Sequence, residues 1–223
     1  MSYLLTPSNL RLLKECPRCF WLQHNRDLKR PSSIYPSLPF GIDKALKERF
    51  DYYRENEKLP PELRKLDQVR LFDHPLLALW KNNWQGIRWK DEEGNELRGA
   101  VDDILEKNNK LIVLEYVTRG FPLKEDTISH YEDQLNFYTF LLQKNGFPTE
   151  DYAYLLFFHP KSVNWQGDIW FHKELHQVKV EINLAEELFR TAINVLKEKI
   201  PESSAGCEFC QWAAQLKSYN FNL

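Results

Sequence analysis

Four cysteines, set as two Cys-x-x-Cys pairs at opposite ends of the chain, constrain its folding more than any other feature. Cys16 and Cys19 stand in CPRC, Cys207 and Cys210 in CEFC, and no other cysteine occurs in the 223 residues. Two residues between thiols let adjacent turns of backbone offer both sulfurs to one metal centre. If both pairs meet, the N-terminal segment is stapled to the C-terminal one, and the staple encloses what lies between. By spacing alone, four thiolates suit tetrahedral zinc. Four unligated buried cysteines are the alternative reading.

The surrounding chain has the makeup of a folded protein. Hydrophobic residues are 43% and charged residues 28%, which excludes a disordered chain. No apolar run approaches the roughly 18–20 residues that cross a bilayer. The opening MSYLLTPSNLRLLKE lacks the apolar stretch and flanks of a signal peptide. The expectation is a cytoplasmic protein with no membrane role, in a compartment where cysteines stay reduced or bind metal. Formal net charge is −2, so attraction to nucleic acid needs a local basic groove. Arg11 with Lys14, Lys29 with Arg30, and Lys44 with Lys47 and Arg49 are candidates; each also reads as a solvated helix face. His24, His74, His130, His159, His172 and His176 show no metal-ligand spacing along the chain. No phosphate-binding glycine loop or nucleophile elbow occurs.

Apolar periodicity predicts an α/β arrangement, a mixed sheet flanked by helices. A first helix is expected over about residues 7–23, N-capped by Ser8. A proline-rich loop, Arg30–Phe40, leads to a second helix from near Gly41, with Ile42, Leu46, Phe50 and Tyr53 on one face. After a short helix at about 74–83, an antiparallel three-strand meander is expected: Ile87–Lys90, Leu97–Glu106 and Lys110–Val117. Helix 126–144, strands Tyr152–Phe158 and Trp165–His172, helix 183–199 and a short cysteine-bearing helix complete the order. No internal repeat or linker occurs.

Within that meander, Asp102 in GAVDD and Glu115 in LIVLEYVTRG are close enough in sequence for hairpin pairing to set them side by side. Two hard carboxylate oxygens together make a site for Mg2+ or Mn2+, and such an ion activates water and stabilises charge on a scissile phosphate. Strand alternation should send Asp103 to the opposite face from Asp102. Acidic residues at strand ends also occur simply solvated.

Taken in order, these segments resemble the PD-(D/E)XK nuclease superfamily, specifically its RecB-type branch with the CRISPR-associated and AddB-type iron–sulfur nucleases. SNLRLLKECPRCFWL resembles the opening helix, which ends in cysteine and proline. GAVDDIL resembles the Gly-x-x-Asp strand and selects Asp102. LEYVTRG resembles the acid-x-Lys-Thr strand and selects Glu115. QLNFY resembles the Gln-x-x-x-Tyr helix motif and selects Gln134 and Tyr138, four apart on one helix face. CEFC resembles the cluster-binding tail. The resemblance implies a restriction-endonuclease-like core in a single domain, 1–223. Residues 1–40 and 200–223 would form a cysteine-bearing helical cap joined by the four-cysteine centre. It implies Mg2+ or Mn2+ on Asp102 and Glu115, and a four-iron four-sulfur cluster on the cysteines, with Zn2+ the alternative.

Two departures stand out. Relatives divide their cluster ligands one and three between the termini, whereas this chain divides them two and two. The family lysine, which orients the attacking water, is here Val117, whose side chain should leave the strand on the same face as Glu115. A cation from elsewhere must fill that space: Lys44, near the slot where relatives carry a histidine after a glycine, or Lys47 or Arg119. Lys44 is the expected choice, since its helix packs over this strand face in relatives. The implied function is a metal-dependent DNA nuclease, exonuclease or endonuclease, acting on single strands or duplex ends, with a protein partner in repair, recombination or defence. The alternatives are an inactive nucleic-acid-binding or adaptor protein of the same fold, and a zinc-stapled structural module.

Overall fold

The computed structural model describes residues 2–31 and 37–219. In chain order the elements are β1 (Leu4–Leu5), α1 (Pro7–Glu15), α2 (Pro17–Arg26), α3 (Ser37–Glu55), β2 (Arg70–Leu71), α4 (Leu77–Trp80), β3 (Ile87–Lys90), β4 (Glu96–Gly99), β5 (Asp103–Lys107), β6 (Lys110–Thr118), α5 (Ser129–Lys144), β7 (Tyr152–Val163), β8 (Ile169–Lys179), α6 (Ile182–Lys197) and α7 (Glu208–Ser218). The class is mixed α/β, with two mixed sheets ordered β1-β4-β3 and β2-β5-β6-β7-β8. The chain divides into two compact units. One comprises Met1–Tyr35, Lys90–Leu97 and Glu186–Leu223, the other Pro36–Trp89 and Arg98–Ala185.

The larger unit is built on the five-stranded sheet. β5 and β6 pair antiparallel, with Asp103 opposite Leu114. β6 and β7 are parallel, Glu115 opposite Leu155 and Val117 opposite Phe157; parallel neighbours need a crossover, and α5 supplies it. β7 and β8 form an antiparallel hairpin. Side chains alternate between the two sheet faces along each strand. On one face Ile112, Leu114, Tyr116, Tyr154, Leu156 and Phe158 form a core with Leu46 and Phe50 of α3. The Phe50 and Tyr116 ring centroids lie 4.6 Å apart.

The smaller unit pairs β1 with β4 in parallel, Leu4 opposite Glu96. Helix α1 is capped by Thr6, whose side chain accepts from the Asn9 backbone while the Asn9 side chain accepts from the Thr6 backbone. Tyr3 donates from its hydroxyl to Asn25 Oδ1 at 3.0 Å, and Trp21 Nε1 donates to the Glu198 carbonyl at 2.9 Å.

Several expectations are corrected by this fold. The helix expected over 7–23 is two helices, capped by Thr6 rather than Ser8, because Cys16 is extended at φ −161° and ψ 109°. A residue before proline avoids the helical region, and Pro17 follows. The strand expected over Leu97–Glu106 is two strands in different sheets, β4 and β5, so the single meander does not form. The expected loop Arg30–Phe40 lies partly outside the described residues; its last four, from Ser37, already belong to α3. β8 begins at Ile169 rather than Trp165, because Asn164 Oδ1 accepts from the backbone of Gln166 and Asp168 and holds a turn there.

Candidate active site and candidate metal centre

The larger unit brings Asp102 and Glu115 together through their backbones. The Asp102 amide donates to Glu115 Oε1 at 3.0 Å, and the Tyr116 amide donates to Asp102 Oδ2 at 3.0 Å. Asp102 sits just ahead of β5, one step beyond the Asp103–Leu114 pair, so strand register sets the two carboxylates against each other. From α5, Gln134 Nε2 donates to Glu115 Oε2 at 2.7 Å and lies 3.1 Å from the Tyr138 hydroxyl. The four residues selected by the strand and helix motifs are therefore brought to one place.

The Gly-x-x-Asp glycine has a packing reason. A Cβ on Gly99 would stand 2.6 Å from the Tyr138 ring, closer than side-chain carbons approach. Gly99 lets the tyrosine of the helix motif lie against the strand that leads into Asp102.

The cation beside Asp102 comes from α3, but it is not Lys44. Lys44 is exposed and pairs with Glu48 at 3.8 Å. Lys47 is largely buried, with Nζ 2.7 Å from Asp102 Oδ1 and 3.1 Å from Asp43 Oδ2. The expectation placed α3 over the face carrying Val117. It packs instead on the Leu114–Tyr116 face, and its phase there turns Lys47 rather than Lys44 toward Asp102. Val117 is buried on β6, and Arg119 makes no ion pair with Asp102 or Glu115 among the described residues. Asp43, which sequence reasoning missed, lies one turn before Lys47, the spacing at which helical side chains meet.

Burial raises the Asp102 carboxyl, with the Lys47 charge pulling against it. Burial, then the charge of Asp102, pushes Glu115 well above the usual carboxylate range. Burial also works against the Lys47 ammonium, yet Asp102 and Asp43 together hold its pKa above the usual lysine range. Three carboxylates thus share one lysine, a charge balance that suits a divalent cation.

Asp103 turns away from Asp102, as alternation requires. It is fully buried and accepts from the Tyr116 hydroxyl at 2.8 Å and from Arg54. Arg54 also binds Asp51, which pairs with Lys81 at 2.7 Å. This network, invisible in the sequence, anchors β5 to α3 and to the end of α4. Beside it is a cavity of ≈ 550 Å³ whose lining includes Lys47, Arg54, His74 and Lys81.

In the smaller unit the four cysteines converge. Sγ separations are 3.9 Å for Cys16–Cys210 and 3.6 Å for both Cys19–Cys207 and Cys19–Cys210. None is in a disulfide, and Cys16, Cys19 and Cys207 are buried. Cys16 caps α2 and Cys207 caps α7, so each pair sits at a helix N-terminus, where negative charge is favoured. Arg30 donates to Cys207 Sγ at 3.5 Å. Burial pushes the Cys210 thiol up to about 12; against the same burial, hydrogen bonds from the backbone of Cys19 and Ser204 bring Cys16 down to about 6. The group is able to hold a metal.

A profile of the PD-(D/E)XK nuclease superfamily matches residues 4–215. The chain belongs to the PD-(D/E)XK nuclease superfamily. The structure titled "Crystal structure of SSO0001" is similar in fold, with a TM-score of 0.50 and 14% identity over 96% of this chain and 86% of that one. No curated protein matches the sequence. PD-(D/E)XK nucleases use divalent metals and act on nucleic acid, which accords with paired carboxylates beside a lysine. No helix among the described residues is long and apolar enough to cross a membrane.

Proposed function

We propose that the protein is a divalent-metal-dependent DNA nuclease whose lysine has moved from the strand to α3. The observation that carries this reading is the contact of Lys47 Nζ with Asp102 Oδ1 at 2.7 Å, on a chain whose usual lysine position is Val117. Asp102 and Glu115 would hold Mg2+ or Mn2+, and the bound ion would activate water and offset phosphate charge. Lys47 orients the water and stabilises the charge that grows on the phosphate. Held above the ordinary lysine range by Asp102 and Asp43, it acts as a fixed cation and not as a base. Gln134 fixes the rotamer of Glu115 through its 2.7 Å hydrogen bond, and Tyr138 backs Gln134. Single strands or duplex ends are the substrates that the RecB-type resemblance supports.

The cysteines serve this activity as a staple for the smaller unit. Four sulfurs about 2.3 Å from one ion stand about 3.8 Å apart in a tetrahedron. The observed 3.6–3.9 Å fits that arrangement. In a four-iron four-sulfur cluster each cysteine takes a separate iron and the sulfurs stand wider. We therefore favour zinc over the cluster. Cysteines that hold a metal rather than pair in disulfides accord with a reducing, cytoplasmic setting.

The test is cleavage of end-labelled single-stranded and duplex DNA with Mg2+ and with Mn2+. Cleavage by wild type that disappears in Asp102→Ala is the expected result. Binding of DNA without cleavage in either metal would favour the adaptor reading, which Val117 alone would suggest. Neither binding nor cleavage would leave the structural module.

A further inference from the structure

Along the chain the histidines show no ligand pattern. Across the β7–β8 hairpin they do. His159 pairs directly with His172, and Glu174 and His176 follow His172 at two-residue steps, so all four share one face of the sheet. His159 Nε2 lies 3.5 Å from Glu174 Oε1, and His172 Nε2 lies 3.6 Å from the same oxygen. His176 Nε2 lies 3.4 Å from Glu174 Oε2. None of these three contacts has the geometry of a hydrogen bond, and His176 Nε2 is buried with no hydrogen-bond partner. Ligand atoms of His159, His172 and Glu174 all fall within 4.8 Å of one another.

We infer that His159, His172 and Glu174 form a second metal site, for a divalent first-row transition ion of the zinc class. Two imidazoles and a carboxylate are the donor set such ions prefer, whereas Mg2+ favours oxygen ligands. Where a ring carries its proton on Nδ1, its Nε2 lone pair faces the lone pairs of the Glu174 carboxylate and no hydrogen bond joins the two. A divalent ion seated among them turns that conflict into coordination. His159 is buried, and its Nδ1 lies 3.4 Å from the Pro160 carbonyl. That contact leaves Nε2 as the donor to the ion, the arrangement in which a ligating histidine spends its other N–H on a carbonyl. His176 contacts the second oxygen of Glu174 and acts as a positioning residue.

The site is separate from the carboxylate pair. His176 lies in the same row as Glu115, two strands away through Leu155, a span of about 10 Å by strand spacing. A register shift between Pro160 and Ser162 lies next to His159, and bulges of this kind re-aim side chains. Lys173 leaves the opposite face to pair with Glu62 at 2.7 Å and does not compete. The ion would therefore clamp the hairpin where its pairing is irregular. This inference depends on neither the nuclease reading nor the metal at the cysteines.

The experiment is zinc stoichiometry of the full chain after dialysis against Zn2+ in excess Mg2+, comparing wild type with His172→Ala and Glu174→Gln. Both variants should hold one zinc fewer per chain than wild type. Their far-ultraviolet circular dichroism should be unchanged, since the His172 side chain is about half exposed. His176→Ala should keep the ion but bind it about 10–100-fold more weakly. X-ray absorption of the wild type should show zinc with nitrogen and oxygen ligands besides any thiolate-bound zinc. Equal stoichiometry in wild type and both variants, or wild-type zinc bound by sulfur alone, overturns the site.

Discussion

Lys47 and Asp102 meet at 2.7 Å, while Lys44, one turn earlier on the same helix, faces Glu48 and solvent. The difference between these two lysines is the sharpest test of the proposed chemistry. Lys47→Ala should lower kcat by about 10²–10³-fold, the loss typical for one preorganised donor at developing charge. Lys44→Ala should leave it unchanged. Equal effects from the two would remove Lys47 from the proposed mechanism.

Val117→Lys should not improve the enzyme. Val117 is buried opposite Phe157, and Lys47 already supplies a cation to Asp102. A second ammonium there should lower stability and leave cleavage flat or weaker. In the Lys47→Ala background, however, Val117→Lys should restore part of the lost activity. Cleavage rates of the four proteins, measured side by side, decide the matter; a gain in the wild-type background would mean that Lys47 is not filling the role.

Gly99→Ala introduces a methyl group 2.6 Å from the Tyr138 ring. Overpacking of this kind costs about 1–3 kcal/mol. Urea denaturation should show that loss, and Tyr138→Ala should relieve the clash, so the double variant should be more stable than additivity predicts.

Cys207→Ser removes one of four converging sulfurs. The protein should lose its thiolate-bound metal and unfold at lower temperature, because metal binding at such a site is coupled to folding. Metal analysis also separates zinc from iron: purification without air should give colourless protein with zinc bound by sulfur. Brown protein absorbing broadly near about 400 nm, the colour of an iron–sulfur chromophore, would replace zinc with the cluster.

Glu62 predicts part of the acid response. Burial works against its carboxylate, but Lys173 and Arg49, at 2.7 and 2.9 Å, outweigh it and hold its pKa below the ordinary value. With the folded value below the unfolded one, near about 4.3, the stabilisation is present above that unfolded value. It is lost as pH falls through the folded one. Glu62→Gln should therefore destabilise the protein at neutral pH by about 1–3 kcal/mol and flatten the acid limb of stability against pH. Parallel profiles for the two proteins would show that the pair contributes nothing there.

Much of this was legible in the sequence where one local rule dominated. Periodicity located α5 and α6, and the run Lys110–Val117 emerged as β6 nearly to the residue. Asp102, Glu115, Gln134 and Tyr138 stood out because each sits in a short ordered pattern. What failed was set by partners distant in sequence. The change of sheet between β4 and β5 leaves no mark in the stretch that joins them. The choice between Lys44 and Lys47 depends on the rotation of α3 about its axis, which Leu46 and Phe50 fix by packing on the sheet. His159 and His172 are thirteen apart along the chain and become neighbours only through hairpin register. The break at Cys16 was readable from Pro17 alone.

A lysine carried on α3, rather than on β6 beside Glu115, changes what the alignment of the proposed site depends on. In the strand arrangement, acid and cation travel together on one backbone. Here the ammonium rides a helix and Glu115 rides a strand, and packed helices slide by small steps against the layers they cover. An error of about 1 Å in such an alignment costs about 10²-fold in rate. The apolar contact of Phe50 with Tyr116, on the sheet face opposite the Glu115 side chain, is thus a setting on the throttle of the proposed reaction.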